Sequence, residues 1–251
     1  MRLFIELSYN GTKYSGWQIQ NNAITIQALL ERALSIALSQ EISVVGAGRT
    51  DTGVSAINYI AHFDCNTPLP TRKQLLYKLN AILNNDIVVT NIYHVEEQAH
   101  ARFDATSRSY EYRVHTSKDP FACYSYFCKF ALDLEKMNRA ASYLIGTKDF
   151  SSFEKSGGDN ATSICTITDI GWESEDYIHY KFHITANRFL RNMVRAIVGT
   201  LLDVGKGKLK PEEILDVVEK RDRCAAGQSV PGEPLRFLGA KYPYKLIEIE
   251  D

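Results

Sequence analysis

Segments of two-residue period and segments of helical period interleave along this chain, twice over, and that interleaving restricts the fold more than any single motif does. “LFIELSY” (3–9) and “ISVVGA” (42–47) predict strands, and “TIQALLERALSIAL” (25–38) between them predicts an amphipathic helix. “VSAINYIAHFD”, “TRKQLLYKLNAIL” (71–83) and “IVVTNIYHV” continue the first half as strand, helix and strand. The second half begins with the strand “SRSYEYRVH” (107–115) and the helix “LEKMNRAASYLIG” (134–146), followed by a hairpin over 164–186 with charged residues at its turn. It closes with a helix over “RFLRNMVRAIVGTLLDVG” (188–205), a short helix after Pro211 and the strand “LRFLGAKY”. Two similar α+β halves joined near residues 98–108 would leave a cleft between them, a natural place for a site.

A chain of 251 residues that is 45% hydrophobic can bury one large core or two small ones. Lys plus Arg is 29 and Asp plus Glu is 30, so a net charge of −1 offers no global attraction to nucleic acid or acidic membrane, and any polyanion site must come from local clustering. “RLFIELSY” after Met1 is too short and too polar for a signal peptide, and no run approaches a membrane span, which places the chain in the cytoplasm with no membrane partner. Five cysteines scattered at 65, 123, 128, 165 and 224 lack the pairing of a zinc site or a disulfide scaffold and read as reduced thiols. His179 and His183 of “HYKFH” would share one strand face, but no third ligand stands nearby, so no metal is expected.

Chemistry concentrates in three places. The first is “GAGRTDTGVSA” (46–56). Its glycines suggest a phosphate cradle, yet a strand follows where a dinucleotide loop needs a helix, and a P-loop would need a Lys-Ser/Thr pair. Asp51 then either caps the local backbone or is aimed by the permissive glycines into the cleft as a nucleophile or base with a cationic neighbour. The second is “ANRFLRNMVRAIVGTLL”: on a continuous helix, Leu190, Val194, Ile197 and Leu201 form one stripe, while Arg188, Arg191 and Arg195 form a separate cationic arc. Such an arc is either a solvated face or an anion site, and three arginines without an acid before Asp203 favour the anion site. The third is “HARFDATSRSYEYRV” (100–114), where Arg102, Phe103, Arg108, Tyr110, Tyr112 and Arg113 mix guanidinium groups with aromatic faces. That mixture suits unstacked RNA bases, although tyrosines on a strand also serve as core.

Together “YNGTKYSGWQIQ”, “GAGRTDTGVSA”, “HARFDATSRSYEYRV”, “DFSSF”, “ANRFLRNMVRAIVG” and “AAGQSVPGEPLRFLGAKYP”, in order along nearly the whole chain, resemble the TruA-type tRNA pseudouridine synthases. The resemblance implies the pseudouridine synthase fold: α+β, with two similar α/β-sandwich subdomains (1–103 and 104–251) whose mixed, largely antiparallel sheets form a central cleft. It also implies a cofactor-free homodimer that isomerises uridines 38, 39 and 40 in the anticodon stem-loop of tRNA. By the same resemblance Asp51 is the nucleophile, Arg195 its paired cation, Tyr110 the ring that stacks on the flipped base, and Arg49 the residue that helps flip it. Arg102 lies in a stretch that matches a tRNA contact, and Arg108, Arg188, Arg191 and Lys155 complete the expected RNA-binding set.

The chain departs from the family pattern at three places. Ser55 stands where the family usually has histidine, Ala196 where asparagine is usual, and 154–167 lacks the usual basic and proline residues apart from Lys155. The competing reading, a non-catalytic RNA-binding protein or tRNA chaperone on the same scaffold, parts from the isomerase at Asp51.

Overall fold

A computed structural model describes residues 1–155, 157 and 161–251, and these divide into two compact units, 1–106 with 237–251 and 107–236. The sequence division at 103/104 leaves 237–251 with the second half, whereas in the structure they group with the first.

The first unit opens with β1 (Arg2–Tyr9), α1 (Ile26–Leu38), β2 (Val44–Gly46), β3 (Ser55–Asp64), α2 (Arg72–Ile82) and β4 (Ile87–His94). The second holds β5 (Ser107–His115), β6 (Tyr126–Phe127), α3 (Leu134–Ser142), β7 (Gly146–Asp149), β8 (Ile164–Glu173), β9 (His179–Ala186), α4 (Met193–Gly205) and α5 (Glu213–Lys220). The chain then returns to the first unit with β10 (Leu235–Lys241) and β11 (Ile247–Glu248).

In the first unit the strand order is β11-β4-β1-β3-β10, with β2 also on β3. β1 lies antiparallel to both β3 and β4, so it is central, and Leu3, Phe4, Ile5 and Leu7 are fully buried. Successive side chains face opposite ways. Phe4 therefore packs on one face with Ile60, Ala99, Ala101, Tyr93, Tyr242 and Leu246, which leaves the other to the helices. Thr25 caps α1, and its helical period buries Ile26, Leu30, Ala33, Leu34 and Leu38. Thr71 and Gln74 close a reciprocal capping box on α2, which buries Leu75 and Leu79. The returning tail is fastened by β11 on β4, by Ile249 N–H to the Ile92 carbonyl at 3.1 Å, and by Arg72 Nε to Asp251 at 3.0 Å.

The second unit carries the order β5-β9-β8-β7, antiparallel throughout, with the short β6 parallel to β5. Its helix α4 begins at Met193, five residues later than the sequence period suggests. Asn192 takes a left-handed backbone, φ 66°, through which an α-helix does not propagate. Arg188 and Arg191 therefore precede the helix, and the predicted cationic arc does not form. Every residue of α4 except Arg195 and Asp203 is buried, so the helix is surrounded rather than amphipathic.

Against α4 runs the extended segment 226–231. Fully buried Thr200 donates its hydroxyl to the Ala196 carbonyl at 2.8 Å and accepts the Gly227 N–H at 2.9 Å. The Arg195 carbonyl accepts the Val230 N–H at 3.3 Å. Thr200→Val keeps the shape but strands the Gly227 N–H, and an unsatisfied buried donor costs about 1–3 kcal/mol. Urea unfolding is expected to show a loss of that size, with 226–231 the first segment to exchange its amides.

Candidate functional site

Asp51 lies in the eight-residue connection between β2 and β3, strands that pair directly through Val44–Gly46 and Ala61–Phe63. A loop of that length needs partners for its own polar backbone. Much of that is supplied by “YNGTKYSGW”. The Trp17 N–H donates to the Thr50 carbonyl at 3.2 Å and the Gly53 N–H to the Tyr14 carbonyl at 3.2 Å, while the Val54 N–H closes a turn onto the Asp51 carbonyl at 3.2 Å. Gly16 sits between these bonds with φ +86°, and a Cβ there would stand 2.3 Å from the Thr50 oxygen and 3.0 Å from the Asp51 carbonyl carbon. Only glycine permits both the backbone angle and the approach. The half-buried Asp51 is thus presented by a loop held at both ends.

Arg49 is exposed beside it, and with Arg102, Trp17, Gln18, Gln27 and Gly48 it lines a pocket of about 110 Å³. The first unit therefore brings Arg49 and Arg102 to one pocket. Ser55, where the family usually has histidine, accepts the Gly11 N–H at 3.1 Å through its hydroxyl.

The stretch carrying Arg102 is built on two histidines. Buried His62 accepts the Ala101 N–H on Nδ1 at 3.1 Å. His100 accepts the Arg102 and Phe103 N–H groups on Nδ1 at 3.1 and 3.2 Å, and its ring stacks on Phe103 at 4.2 Å. The Arg102 guanidinium lies over Phe103, whose ring is 75% exposed. Burial, then the positive charge of His100 and Arg2, holds the His62 pKa down to about 4.

In the second unit Tyr110 and Tyr112 stand two residues apart on β5 and so share a face. Tyr112 is core: it is fully buried, donates its hydroxyl to the Pro231 carbonyl at 3.1 Å, and has its phenol pKa raised by burial. Tyr110 stays half-buried with Phe189 edge-on at 5.0 Å. Arg195 emerges from the first turn of α4 and donates Nε to the Val230 carbonyl at 2.7 Å, so the segment 226–231 aims it. Arg108 donates to the Asn187 carbonyl at 2.7 Å, and the Arg188 N–H donates to the Asn187 side chain at 2.8 Å, which joins those two at the end of β9. The Lys155 N–H donates to the Arg191 carbonyl at 3.0 Å, so two exposed cations meet through backbone. Within the stretch 154–167, positions 156 and 158–160 lie outside the described residues.

The two strand histidines contact local carboxylates: His179 lies 2.7 Å from Asp176 and 3.1 Å from Asp119, and His183 lies 3.4 Å from Asp169. Among the described residues no group of three or more His, Cys, Asp or Glu is placed to hold a metal ion, and no helix is long and apolar enough to cross a membrane. The supports within each unit, Gly16 under Asp51 in the first and the segment 226–231 beside Arg195 in the second, carry no titratable group and so give no chemical signal in the sequence. Only the glycines at 16 and 227 hint at close approaches.

The tRNA pseudouridine synthase family model matches residues 140–243. A tRNA pseudouridine synthase A from Parabacteroides distasonis is 49% identical over 251 residues, 100% of this chain and 99% of that protein. The chain belongs to the tRNA pseudouridine synthase family. Its similarity to other synthases is as extensive: one from Bacteroides fragilis is 48% identical over 98% of each chain, and one from a Thermoanaerobacter species is 42% identical over 96% of this chain and 99% of that protein. The family's enzymes are isomerases, so the non-catalytic RNA-binding alternative gives way.

Two outcomes are expected. Gly16→Ala combines a disfavoured angle with a backbone clash and destabilises the chain by about 1–3 kcal/mol in denaturant titration. His62 takes up a proton near pH 6.5 when unfolded but only near 4 when folded. Its contribution to stability is therefore full above pH 6.5 and lost as pH falls toward 4. Stability measured across that window is expected to fall less steeply in His62→Phe than in the wild type.

Proposed function

We propose that this chain isomerises uridines 38, 39 and 40 of the tRNA anticodon stem-loop to pseudouridine, with Asp51 as the nucleophile. The observation that carries the assignment is the doubly fastened loop of “GAGRTDTG”, which holds one carboxylate on backbone that cannot relax away from it. In the reaction the C1′–N1 bond breaks, uracil turns, and C1′ bonds to C5. The C5 hydrogen leaves as a proton and N1 gains one, so nothing is added or removed overall. A carboxylate assists either by attacking C1′, to be displaced as the C1′–C5 bond forms, or by adding to the base, to be eliminated from it afterwards. Preorganisation of the loop lowers the cost of placing the carboxylate against the sugar or the ring.

Other assignments rest on the resemblance. Arg195 is the cation that pairs with the aspartate, and its bond to Val230 gives it a fixed aim. Tyr110 is the aromatic face for uracil, and Arg49 helps draw the nucleotide from the helix. Arg102, Arg108, Arg188, Arg191 and Lys155 bind phosphate, which supplies locally the attraction that a net charge of −1 does not. A homodimer in the cytoplasm, working without metal or organic cofactor, completes the reading.

Release of tritium from uridine C5 in an unmodified tRNA transcript tests it. The wild type is expected to release label, and Asp51→Ala to release none while still binding the transcript. Binding without release by the wild type would overturn the assignment, and full release by Asp51→Ala would remove Asp51 from the chemistry.

A further inference from the structure

Arg49 stands between two residues that are each gripped by a buried tyrosine hydroxyl. On one side, the fully buried Tyr59 donates its hydroxyl to the Gly48 carbonyl and accepts the Gly48 N–H at 3.4 Å. On the other, the buried Tyr9 and Thr50 hydroxyls share a hydrogen bond of 2.9 Å. A phenol can donate and accept at once, and Tyr59 uses both capacities on one residue.

The rings that carry these hydroxyls are themselves fixed. Tyr59 packs on Trp17 with centroids 4.3 Å apart, and edge-on to Tyr9 at 5.7 Å and Phe237 at 5.3 Å. Gly46 leaves the space that the Tyr59 hydroxyl occupies, since a Cβ there would lie 2.1 Å from it and 2.6 Å from Trp17. An aromatic cluster of this kind resists rearrangement, because moving one ring opens a gap at the others. Backbone bonds then continue the restraint beyond Thr50, through its carbonyl to Trp17 and through Gly53 to Tyr14. Positions 48, 50 and 53 are thus held, and the side chains of Arg49 and Asp51 project from between them.

We propose that the hydroxyls of Tyr59 and Tyr9 are positioning groups for the isomerisation, setting through Gly48 and Thr50 the backbone from which Arg49 and Asp51 act. The proposal rests on the assignment of Asp51 as nucleophile. Neither tyrosine touches substrate in it. Each acts through the residue it grips, and displacement of a reacting group by about 1 Å is enough to cost on the order of 100-fold in rate.

The test uses the full chain and a C5-tritiated tRNA transcript, with the single-turnover rate at saturating enzyme, the Kd for tRNA by filter binding, and the thermal unfolding midpoint measured for each variant. Tyr59→Phe, Tyr9→Phe and Thr50→Val remove only hydrogen-bonding capacity and are expected to react at least about tenfold more slowly than wild type at temperatures where all are folded, with the wild-type Kd. Thr50→Ser restores the hydroxyl and is expected to recover most of the rate lost in Thr50→Val, a rescue that loss of packing would not produce. Wild-type rates in the two tyrosine variants would overturn the proposal, as would Thr50→Ser as slow as Thr50→Val, or slowing matched by equal loss of tRNA affinity. If Tyr59→Phe does not fold, the Thr50 pair decides. Asp51→Ala is measured alongside: an inactive Asp51→Ala with fast tyrosine variants sinks the clamp alone, whereas a fully active one sinks the underlying assignment and the clamp with it.

Discussion

The exchange of backbone hydrogen bonds between residues 14–17 and 50–53 is the constraint on which the presentation of Asp51 depends. Two irregular segments distant in sequence satisfy one another there, because neither has a strand or helix to do it. The consequence is that an eight-residue loop behaves like part of the sheet. A carboxylate on a mobile loop would have conformational entropy still to lose on meeting any ligand, whereas the backbone under Asp51 has lost it on folding. Gly16 is the hinge pin of that arrangement: it contributes no atoms to the contact, and the contact exists because it contributes none.

The second unit reaches the same end by a different route. Arg195 is placed not by a loop against a loop but by a helix buried on nearly every side, with the extended segment 226–231 laid along it. Gly227 and Val230 are two of the points at which that segment is tied to the helix, one to the Thr200 side chain and one to the backbone and side chain of Arg195 itself. A half-buried guanidinium on a helix otherwise enclosed except at Asp203 has the base of its side chain set by core packing, which has little freedom.

Much of this was legible in the sequence. β5 falls on “SRSYEYRVH” residue for residue, and α1, α2 and the β8–β9 hairpin lie within a residue or a few of their predicted bounds, because their periods are strong and their caps are ordinary. The start of α4 was not legible, since Leu190 continues the apolar period into a stretch that Asn192 turns left-handed, and period carries no information on backbone sign. β6 and β11 are two residues long, too short for any alternation to register. Among the candidate residues, Asp51, Arg49 and Arg195 stand out in the sequence by type and company. Tyr9 and Tyr59 do not: each sits in an ordinary strand and looks like core, which it also is. Tyr110 and Tyr112 show the same ambiguity resolved both ways, one half-buried beside Phe189 and the other sealed with its hydroxyl on Pro231.

The return of the final residues to the first unit gives the chain a temporal order. β10 and β11 are synthesised after the whole of the second unit, yet they lie in the same sheet as β3 and β4. While the ribosome is still extending the chain, the unit that bears Asp51 has its strands laid down but Phe4 and Ile60 not yet covered by Tyr242 and Leu246. The second unit, continuous in sequence, can close first. The face that carries Phe4 and Ile60 is thus closed by residues made after the second unit, whereas the backbone bonds that fasten Thr50, Asp51 and Gly53 all join residues 14–54.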